Sequence, residues 1–173
     1  MNIVLIGYRG TGKSVVARLL AKMLEKKLIS IDEMIVRSAG MPVPLIVSQL
    51  GWPRFREIES QIVAEVTARE NNAVIDCGGG IVLDENNVQN LRRDGKTVLL
   101  TASFDVILKR VQHDPNRPAL KEGLSFEEEQ MRVLAERQEK YQNAADLTCD
   151  TSNADPRQTI KEIIEYFQQK HWI

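Results

Sequence analysis

The sequence is poor in the residues that build metal centres and disulfide frameworks. Its 173 residues include two cysteines and two histidines. Cys77 and Cys149 each lie in an apolar run, where a cysteine in a cytosolic chain is more often a buried thiol than half of a disulfide. His113 and His171 have no partner at the spacing of metal ligands, so a metal site built from His and Cys is not expected.

An excess of charge of one sign is also absent. The 23 basic and 24 acidic side chains give a net charge of -1, which offers no positive field for a nucleic acid. The apolar start at residues 1–6 lacks a basic leader and meets Gly7 too early for a signal peptide or a membrane span. We therefore expect a cytoplasmic protein without nucleic acid or membrane partners. The low aromatic content, 5%, and the balanced charge favour a monomer.

Short apolar runs alternate with longer amphipathic ones along the chain, which is typical of a parallel sheet covered by helices on both faces. With 43% hydrophobic residues, we expect a single α/β domain over residues 1–173, in three α/β/α layers. The five predicted strands are 3–6, 28–31, 73–77, 97–101 and 147–150. The predicted helices are 13–25, 33–39, 56–70, 86–93, 104–112, 126–142 and 156–169. Capping patterns support two helix starts, Ser125 with Glu128 and Asp155 with Pro156.

A glycine-rich stretch joins the first predicted strand to the first predicted helix. Its sequence, GYRGTGKS at residues 7–14, matches G-x-x-x-x-G-K-[ST]. In this pattern the glycines let backbone N–H groups surround phosphate oxygens, and the helix N-terminus adds positive charge. Lys13 reaches the β- and γ-phosphates, and the Ser14 hydroxyl binds Mg²⁺. The stretch predicts a nucleoside triphosphate site with contacts at Gly10, Thr11, Gly12, Lys13, Ser14 and Val15.

Asp32 follows the second predicted strand. The carboxyl ends of neighbouring parallel strands face one crevice, which places this aspartate beside the phosphate loop. Asp32 is therefore within reach of a hydroxyl that attacks a γ-phosphate. It could also serve as the N-cap of the helix predicted at 33–39.

Four further motifs follow in the chain. They are, in order, Phe55-Arg56 with Glu59, then Gly78-Gly79-Gly80, then Arg117-Pro118, and then Arg137 with Tyr141. Together with the phosphate loop and Asp32, this order and spacing resembles the shikimate kinases, small P-loop enzymes of the nucleoside-monophosphate-kinase-like group. The resemblance covers about residues 3–168. It implies transfer of the ATP γ-phosphate to the 3-hydroxyl of shikimate, a substrate-binding helical segment at 33–60 and a mobile lid at 112–124.

The resemblance assigns roles on the acceptor side. Arg56 and Arg137 match the arginines that hold the shikimate carboxylate, a task suited to planar bidentate donors. Glu59 matches the glutamate that orients the first of them, and Asp32 matches the carboxylate that orients or deprotonates the attacking hydroxyl. The three glycines at 78–80 would present backbone N–H groups to a small hydroxylated acid. From the residues alone, Arg56 and Glu59 could instead be a solvated pair on a helix surface.

The resemblance also assigns the nucleotide side, with ATP and Mg²⁺ as the bound groups. Arg117 matches the lid arginine that acts with Lys13 to neutralise charge during phosphate transfer; from the residues alone it could be a solvent-facing loop arginine. Arg110 and Pro156 match the residues that enclose adenine. Pro156 also has a structural reason to be where it is, because proline favours the first position of a helix.

One departure from the family pattern concerns the metal. Shikimate kinases usually have Asp-x-Asp after the second strand, and the first of these aspartates helps to hold hydrated Mg²⁺; here that position is Ser30. Loss of a carboxylate should weaken Mg²⁺ binding unless another acid takes its place. Asp76 ends the neighbouring predicted strand, where many P-loop proteins have a Mg²⁺-associated aspartate. We hypothesise that Asp76 replaces the missing acid and that Ser30 remains as a hydroxyl partner, so the expected metal residues are Ser14 and Asp76.

Other departures lie in the acceptor segment, the substrate-binding residues 33–60. Gly51-Trp52 stands where the family has Gly-Glu, Val47 replaces an apolar aromatic residue, and Pro44 lies in a stretch usually free of proline. Two alternatives to shikimate phosphorylation therefore stay open. One is a kinase for another small hydroxy acid such as gluconate, and the other is a nucleotide-dependent switch without a small-molecule acceptor. A switch would have no use for paired arginines around a glycine loop.

Overall fold

The computed structural model describes residues 1–112, 118–121 and 123–173, and within them the chain forms a five-stranded parallel sheet. The strands are β1 (Asn2–Ile6), β2 (Lys27–Ser30), β3 (Ala73–Asp76), β4 (Gly95–Thr101) and β5 (Leu147–Asp150). Their order is β2-β3-β1-β4-β5, so the strand that leads into the glycine-rich stretch lies at the centre. The predicted sheet is confirmed.

Helices cover both faces of this sheet. In the described ranges they are α1 (Lys13–Met23), α2 (Ile31–Ala39), α3 (Val43–Arg69), α4 (Glu85–Arg93), α5 (Phe104–Val111), α6 (Phe126–Ala144) and α7 (Pro156–Gln169). Ile3 and Leu5 of β1 pack in one core with α1 and α7, and Val4 and Ile6 pack in a second core with the remaining helices. This alternation follows from the two-residue period of a strand buried on both sides.

The ends of several elements follow from local hydrogen bonds. The predicted capping box at α6 is confirmed, because the Ser125 side chain accepts from Glu128 N while the Glu128 carboxylate accepts from Ser125 N. At α7 the Asp155 side chain accepts from Arg157 N, and Pro156 takes the first helical position as predicted. Cys77 and Cys149 are buried free thiols, which confirms that prediction too.

The start of α2 corrects two predictions. The second strand ends at Ser30 rather than at residue 31, and Ile31 is already helical. Ser30 is the N-cap, since its hydroxyl accepts from Glu33 N at 3.3 Å; Asp32 lies inside the first turn, so its N-cap interpretation is wrong. The sequence carried the signal, because Ser30 with Glu33 three residues later has the S-x-x-E spacing of a capping box.

Helix α3 is longer than predicted. The sequence indicated a helix at 56–70, whereas the structure has helix from Val43, with non-helical angles at Gly51 (φ 81°, ψ 163°) that kink it. Pro44 lies at the second helical position and Pro53 directly after the kink. Both prolines therefore fall where a helix needs no N–H group, which is why they do not break it. In the described ranges, no helix combines the length and apolar character required to cross a bilayer.

Candidate active site

A cavity of about 320 Å³ opens at the carboxyl ends of β1, β2 and β3. Its volume is within the range of small-ligand sites, at the lower end. The walls come from the loops that follow β1 and β3, from the first turns of α1 and α2, from α3, including Val43 at its start, from α6, and from Pro118 and Leu120. The charged side chains that line it are Arg9, Lys13, Asp32, Arg56, Glu59, Asp76 and Arg137.

The phosphate loop has the predicted position between β1 and α1. Gly12 is the N-cap of α1 and has φ 87° and ψ 12°, in the left-handed region that glycine adopts without strain. The first turn of α1 begins there, with N–H groups that have no partner within the helix. Lys13 is largely buried, lines the cavity and donates from Nζ to the Tyr8 carbonyl oxygen at 2.9 Å. Ser14 also lines the cavity, and Val15 is exposed next to it.

Asp76 lies at the end of β3, opposite Ser30 in the β2–β3 register. It is only 7% exposed, and its Oδ1 has no hydrogen-bond partner among the described residues. Burial raises the pKa of this carboxyl, while the Ser14 hydroxyl and the Lys13 charge act against the rise. A buried carboxylate oxygen without a protein donor beside Ser14 is a fitting environment for a hydrated Mg²⁺. No cluster of three or more His, Cys, Asp or Glu side chains that could hold a metal occurs within the described ranges.

Two arginine–glutamate pairs on α3 have the same spacing and different surroundings. The Arg56 Nη1 to Glu59 Oε2 distance is 2.6 Å, and the two side chains are 25% and 1% exposed. Arg54 and Glu57 are 2.8 Å apart but 50% and 61% exposed. Burial raises the pKa of Glu59, and Arg56 opposes the rise. The solvated-pair interpretation is therefore wrong for Arg56 and Glu59, and it describes Arg54 and Glu57 instead.

The three glycines after β3 leave room for charged groups. A Cβ atom on Gly80 would lie 2.0 Å from Nη2 of Arg56, and one on Gly78 would lie 2.7 Å from Oδ1 of Asp32. A Cβ atom on Gly79 would meet its nearest neighbour, a backbone nitrogen, at 3.4 Å. A side chain at Gly80 or Gly78 would therefore displace Arg56 or Asp32 from its position, and one at Gly79 would displace neither.

Arg137 enters the cavity from α6. It is 8% exposed and donates from Nη1 to the Gly79 carbonyl oxygen at 2.9 Å. One turn later, the Tyr141 hydroxyl donates to the same oxygen, and burial raises the pKa of Tyr141 to about 12. A guanidinium has five N–H donors, so the bond to Gly79 orients Arg137 while it faces the cavity that Arg56 and Asp32 share.

The predicted adenine and lid residues have different outcomes. Arg110 is held beside the phosphate loop, because it donates to the Gly10 carbonyl oxygen at 3.0 Å and to the Thr151 carbonyl oxygen at 2.9 Å. Pro156 is half-buried at the start of α7. Arg117 and most of the N-terminal half of the predicted lid lie outside the described residues.

The structure adds residues that sequence reasoning did not assign to the site. Arg9 lines the cavity from a variable position of the phosphate loop, where the pattern specifies no residue type. Trp52, which was not among the predicted site residues, lines it too, and its ring lies 5.2 Å from the Arg56 guanidinium. Glu129 and Gln130, in the first turns of α6, do not line the cavity but are buried.

Comparison with known proteins identifies relatives over nearly the whole chain. A family model described as shikimate kinase matches residues 9–168. The shikimate kinase of Thermodesulfovibrio yellowstonii is 36% identical over 97% of this chain and 95% of that protein, and the shikimate kinase of Pelotomaculum thermopropionicum is 37% identical over 99% and 98%. Among solved structures, the shikimate kinase from Acinetobacter baumannii in complex with shikimate has a TM-score of 0.91 at 29% identity, covering 98% of this chain and 93% of that one.

Proposed function

The chain belongs to the shikimate kinase family, and from that premise we propose how its residues carry out ATP-dependent phosphorylation of shikimate. The observation that carries the proposal is the cavity itself. Beside the phosphate loop, it combines one exposed aspartate, Asp32, with two arginines, Arg56 and Arg137. These groups match a hydroxylated carboxylate in charge and in number. A nucleotide-dependent switch without a small-molecule acceptor would not need these three side chains.

Arg56 and Arg137 bind the shikimate carboxylate. Glu59 fixes Arg56 from behind, and the Gly79 carbonyl oxygen fixes Arg137, so both guanidinium groups are oriented before the acceptor arrives. Pre-orientation lowers the entropy lost on binding, and a planar guanidinium can form two parallel bonds to a carboxylate. The ring centroids of Trp52 and Phe55 lie 5.2 and 5.0 Å from Cζ of Arg56. The two rings shield that side of the guanidinium from bulk water.

Asp32 acts on the attacking hydroxyl. It is exposed to the cavity, next to Lys13 and the phosphate loop. The 3-hydroxyl oxygen of shikimate attacks the γ-phosphorus of ATP while its proton passes to the Asp32 carboxylate, and the bond from the γ-phosphorus to the bridging oxygen breaks to release ADP. Lys13, and Arg117 from outside the described residues, neutralise the charge that develops on the phosphates.

Ser14 and Asp76 are the residues that would hold Mg²⁺. When bound, the ion neutralises charge on the β- and γ-phosphates. The buried Asp76 oxygen without a protein partner fits this assignment, and Ser30, which is occupied as the α2 N-cap, adds no carboxylate. For the base of ATP, Arg110 and Pro156 are the proposed contacts, and the hydrogen bond that Arg110 donates to the Gly10 carbonyl oxygen keeps it next to the loop that binds the phosphates.

A coupled assay of ATP consumption tests the proposed function. The acceptors are shikimate, quinate, gluconate, a nucleoside monophosphate, water alone and the methyl ester of shikimate. We expect saturable turnover with shikimate and a much higher KM for the ester, because esterification removes the charge that the arginines bind. Phosphorus NMR of the product should show the phosphate on the 3-hydroxyl. Turnover with gluconate or with water alone, and none with shikimate, would overturn the proposal.

A further inference from the structure

Residues 118–121 form part of the cavity wall and are held from two sides. Pro118 and Leu120 line the cavity. From α3, Trp52 Nε1 donates to the Ala119 carbonyl oxygen at 3.2 Å. From α6, the Glu129 carboxylate accepts through one oxygen, Oε1, from the backbone N–H of Leu120 and from that of Lys121, the latter at 2.7 Å. The backbone of residues 118–121 is thus held between α3 and α6.

The second oxygen of Glu129 continues into the protein. Gln130 Nε2 donates to Glu129 Oε2 at 2.7 Å, and Gln130 Oε1 accepts from the Tyr8 hydroxyl at 2.8 Å. Tyr8 belongs to the phosphate loop, and its carbonyl oxygen accepts from Lys13 Nζ. The three side chains are 4%, 0% and 2% exposed. An unbroken series of hydrogen bonds therefore runs from the phosphate loop to the wall of the acceptor cavity.

The burial of this series indicates a positional role. A buried carboxylate is costly unless its oxygens are bonded, and here both oxygens accept bonds, two of them from backbone N–H groups. Bonds to an ionised acceptor are about twice as strong as bonds between neutral groups. Networks of this kind specify one geometry rather than adding much net stability. Glu129 lies behind residues 118–121 rather than among the cavity-lining residues.

We propose that Glu129 is a positioning residue for the acceptor site. It sets the place of residues 118–121 and, through Gln130 and Tyr8, fixes that part of the wall relative to the phosphate loop. While these hydrogen bonds are formed, the wall keeps one separation from the phosphate loop, and a hydroxyl of the acceptor is held in line with the γ-phosphate. This inference rests on the proposed function, because it assumes that the cavity receives the acceptor.

Glu129→Gln tests the proposal. The amide keeps the shape of the side chain but converts one accepting atom into a donor, so it cannot accept from both the 118–121 backbone and Gln130. We expect the KM for shikimate to rise about tenfold, as for loss of one bond to a charged group, with the KM for ATP within about twofold of wild type. Glu139→Gln, an exposed change on the same helix, is the control. An acceptor KM equal to the control would overturn the proposal.

Amide hydrogen exchange at Leu120 and Lys121 gives a readout that does not depend on the acceptor. We expect exchange about tenfold faster in Glu129→Gln than in wild type and in the control, because a neutral amide oxygen accepts from the two backbone N–H groups more weakly than a carboxylate oxygen does. Unchanged exchange would contradict the proposal that Glu129 holds residues 118–121. Faster exchange with an unchanged acceptor KM would overturn its role in acceptor binding. If the wild-type protein does not use shikimate, the proposed function fails. The exchange measurement still decides whether Glu129 holds residues 118–121.

Two milder variants keep the test decisive if Glu129→Gln does not unfold cooperatively. Trp52→Phe and Tyr8→Phe each keep an aromatic ring and remove one donor. Trp52→Phe releases the Ala119 carbonyl oxygen from the same stretch of backbone, so it should raise the acceptor KM and speed amide exchange at Leu120, and no change in either would contradict the proposed wall. Tyr8→Phe should also raise the acceptor KM. An unchanged value would overturn the link to the phosphate loop.

Discussion

The two sides of the cavity are built in different ways. The phosphate side is one short stretch of chain, residues 7–14, between β1 and the first turn of α1. Its predicted contacts to phosphate are largely backbone N–H groups. The acceptor side is assembled from side chains far apart in sequence, with Asp32 from α2, Arg56 from α3 and Arg137 from α6, arranged around the glycines that follow β3. A local loop can tolerate variation in its surroundings. An assembled site depends on every element that supports it.

This contrast predicts that changes on the acceptor side should alter acceptor kinetics and leave ATP binding almost intact. The largest effect is expected for Asp32→Asn, which removes the group proposed to accept the hydroxyl proton. We expect kcat to fall by about 10²- to 10⁴-fold, the usual contribution of a general base, with the dissociation constant for ATP within about twofold. Glu33→Gln, the adjacent exposed change in the same helical turn, should retain near wild-type rate. A near-normal rate in Asp32→Asn would remove its catalytic role.

A smaller effect is expected from two neighbouring glycines that differ in their surroundings. Alanine at Gly80 would place Cβ 2.0 Å from the Arg56 guanidinium and displace it, whereas alanine at Gly79 meets its nearest atom at 3.4 Å. We expect the KM for shikimate to rise by about tenfold or more in Gly80→Ala, because a misplaced group loses its bonds to the acceptor. Gly79→Ala should change it by less than about threefold. Equal effects of the two changes in steady-state kinetics would show that Arg56 is not held by this packing.

The smallest effect concerns Asp76, which lies where the two sides meet. The pKa of this carboxyl is raised in the folded protein, so folding disfavours its charged form. The folded state therefore has its full stability below the ordinary pKa of 3.8, where the carboxyl is protonated, and loses part of that stability as pH rises. In chelator, Asp76→Asn should match wild type near pH 3 and be more stable at pH 7 by up to about 1 kcal/mol, measured by urea unfolding.

The same variant should require more Mg²⁺ for turnover, because a carboxylate near the ion is lost. The exchange Ser30→Asp with Asp76→Ser is the matched comparison, since the two positions are paired between β2 and β3, and it should recover much of the Mg²⁺ dependence. An unchanged Mg²⁺ requirement in Asp76→Asn would end the assignment of this residue to the metal.

The same contrast explains how much the sequence could predict. Periodicity and the glycine-rich stretch were sufficient for the five strands, their parallel arrangement and the phosphate loop, because these signals are local. Arg56, Asp32 and Arg137 were predicted from the resemblance in motif order along the chain, and the structure brings them to one cavity. The wall made by residues 118–121 was not predicted, since the burial of Glu129 depends on contacts across 8 and 9 residues and on Tyr8, 122 residues from Gln130.

Local signals also failed where two of them competed. Apolar Ile31 extended the predicted second strand, although the Ser30 to Glu33 spacing marks a helix start there. The helix predicted at 56–70 also began too late, because α3 starts at Val43, with Pro44 and Pro53 at positions where a helix tolerates proline. These errors moved element ends in the acceptor segment and left the sheet unchanged.

The kinetics of Arg56→Ala against Arg54→Ala test the central claim most directly. Both arginines lie on α3 with a glutamate three residues later, and one pair is buried at the cavity while the other is solvated. We predict that Arg56→Ala raises the KM for shikimate about 100-fold, as for loss of a desolvated charge contact, with the KM for ATP nearly unchanged, and that Arg54→Ala alters neither. A KM for shikimate that is the same in the two variants would contradict an acceptor site assembled around Arg56.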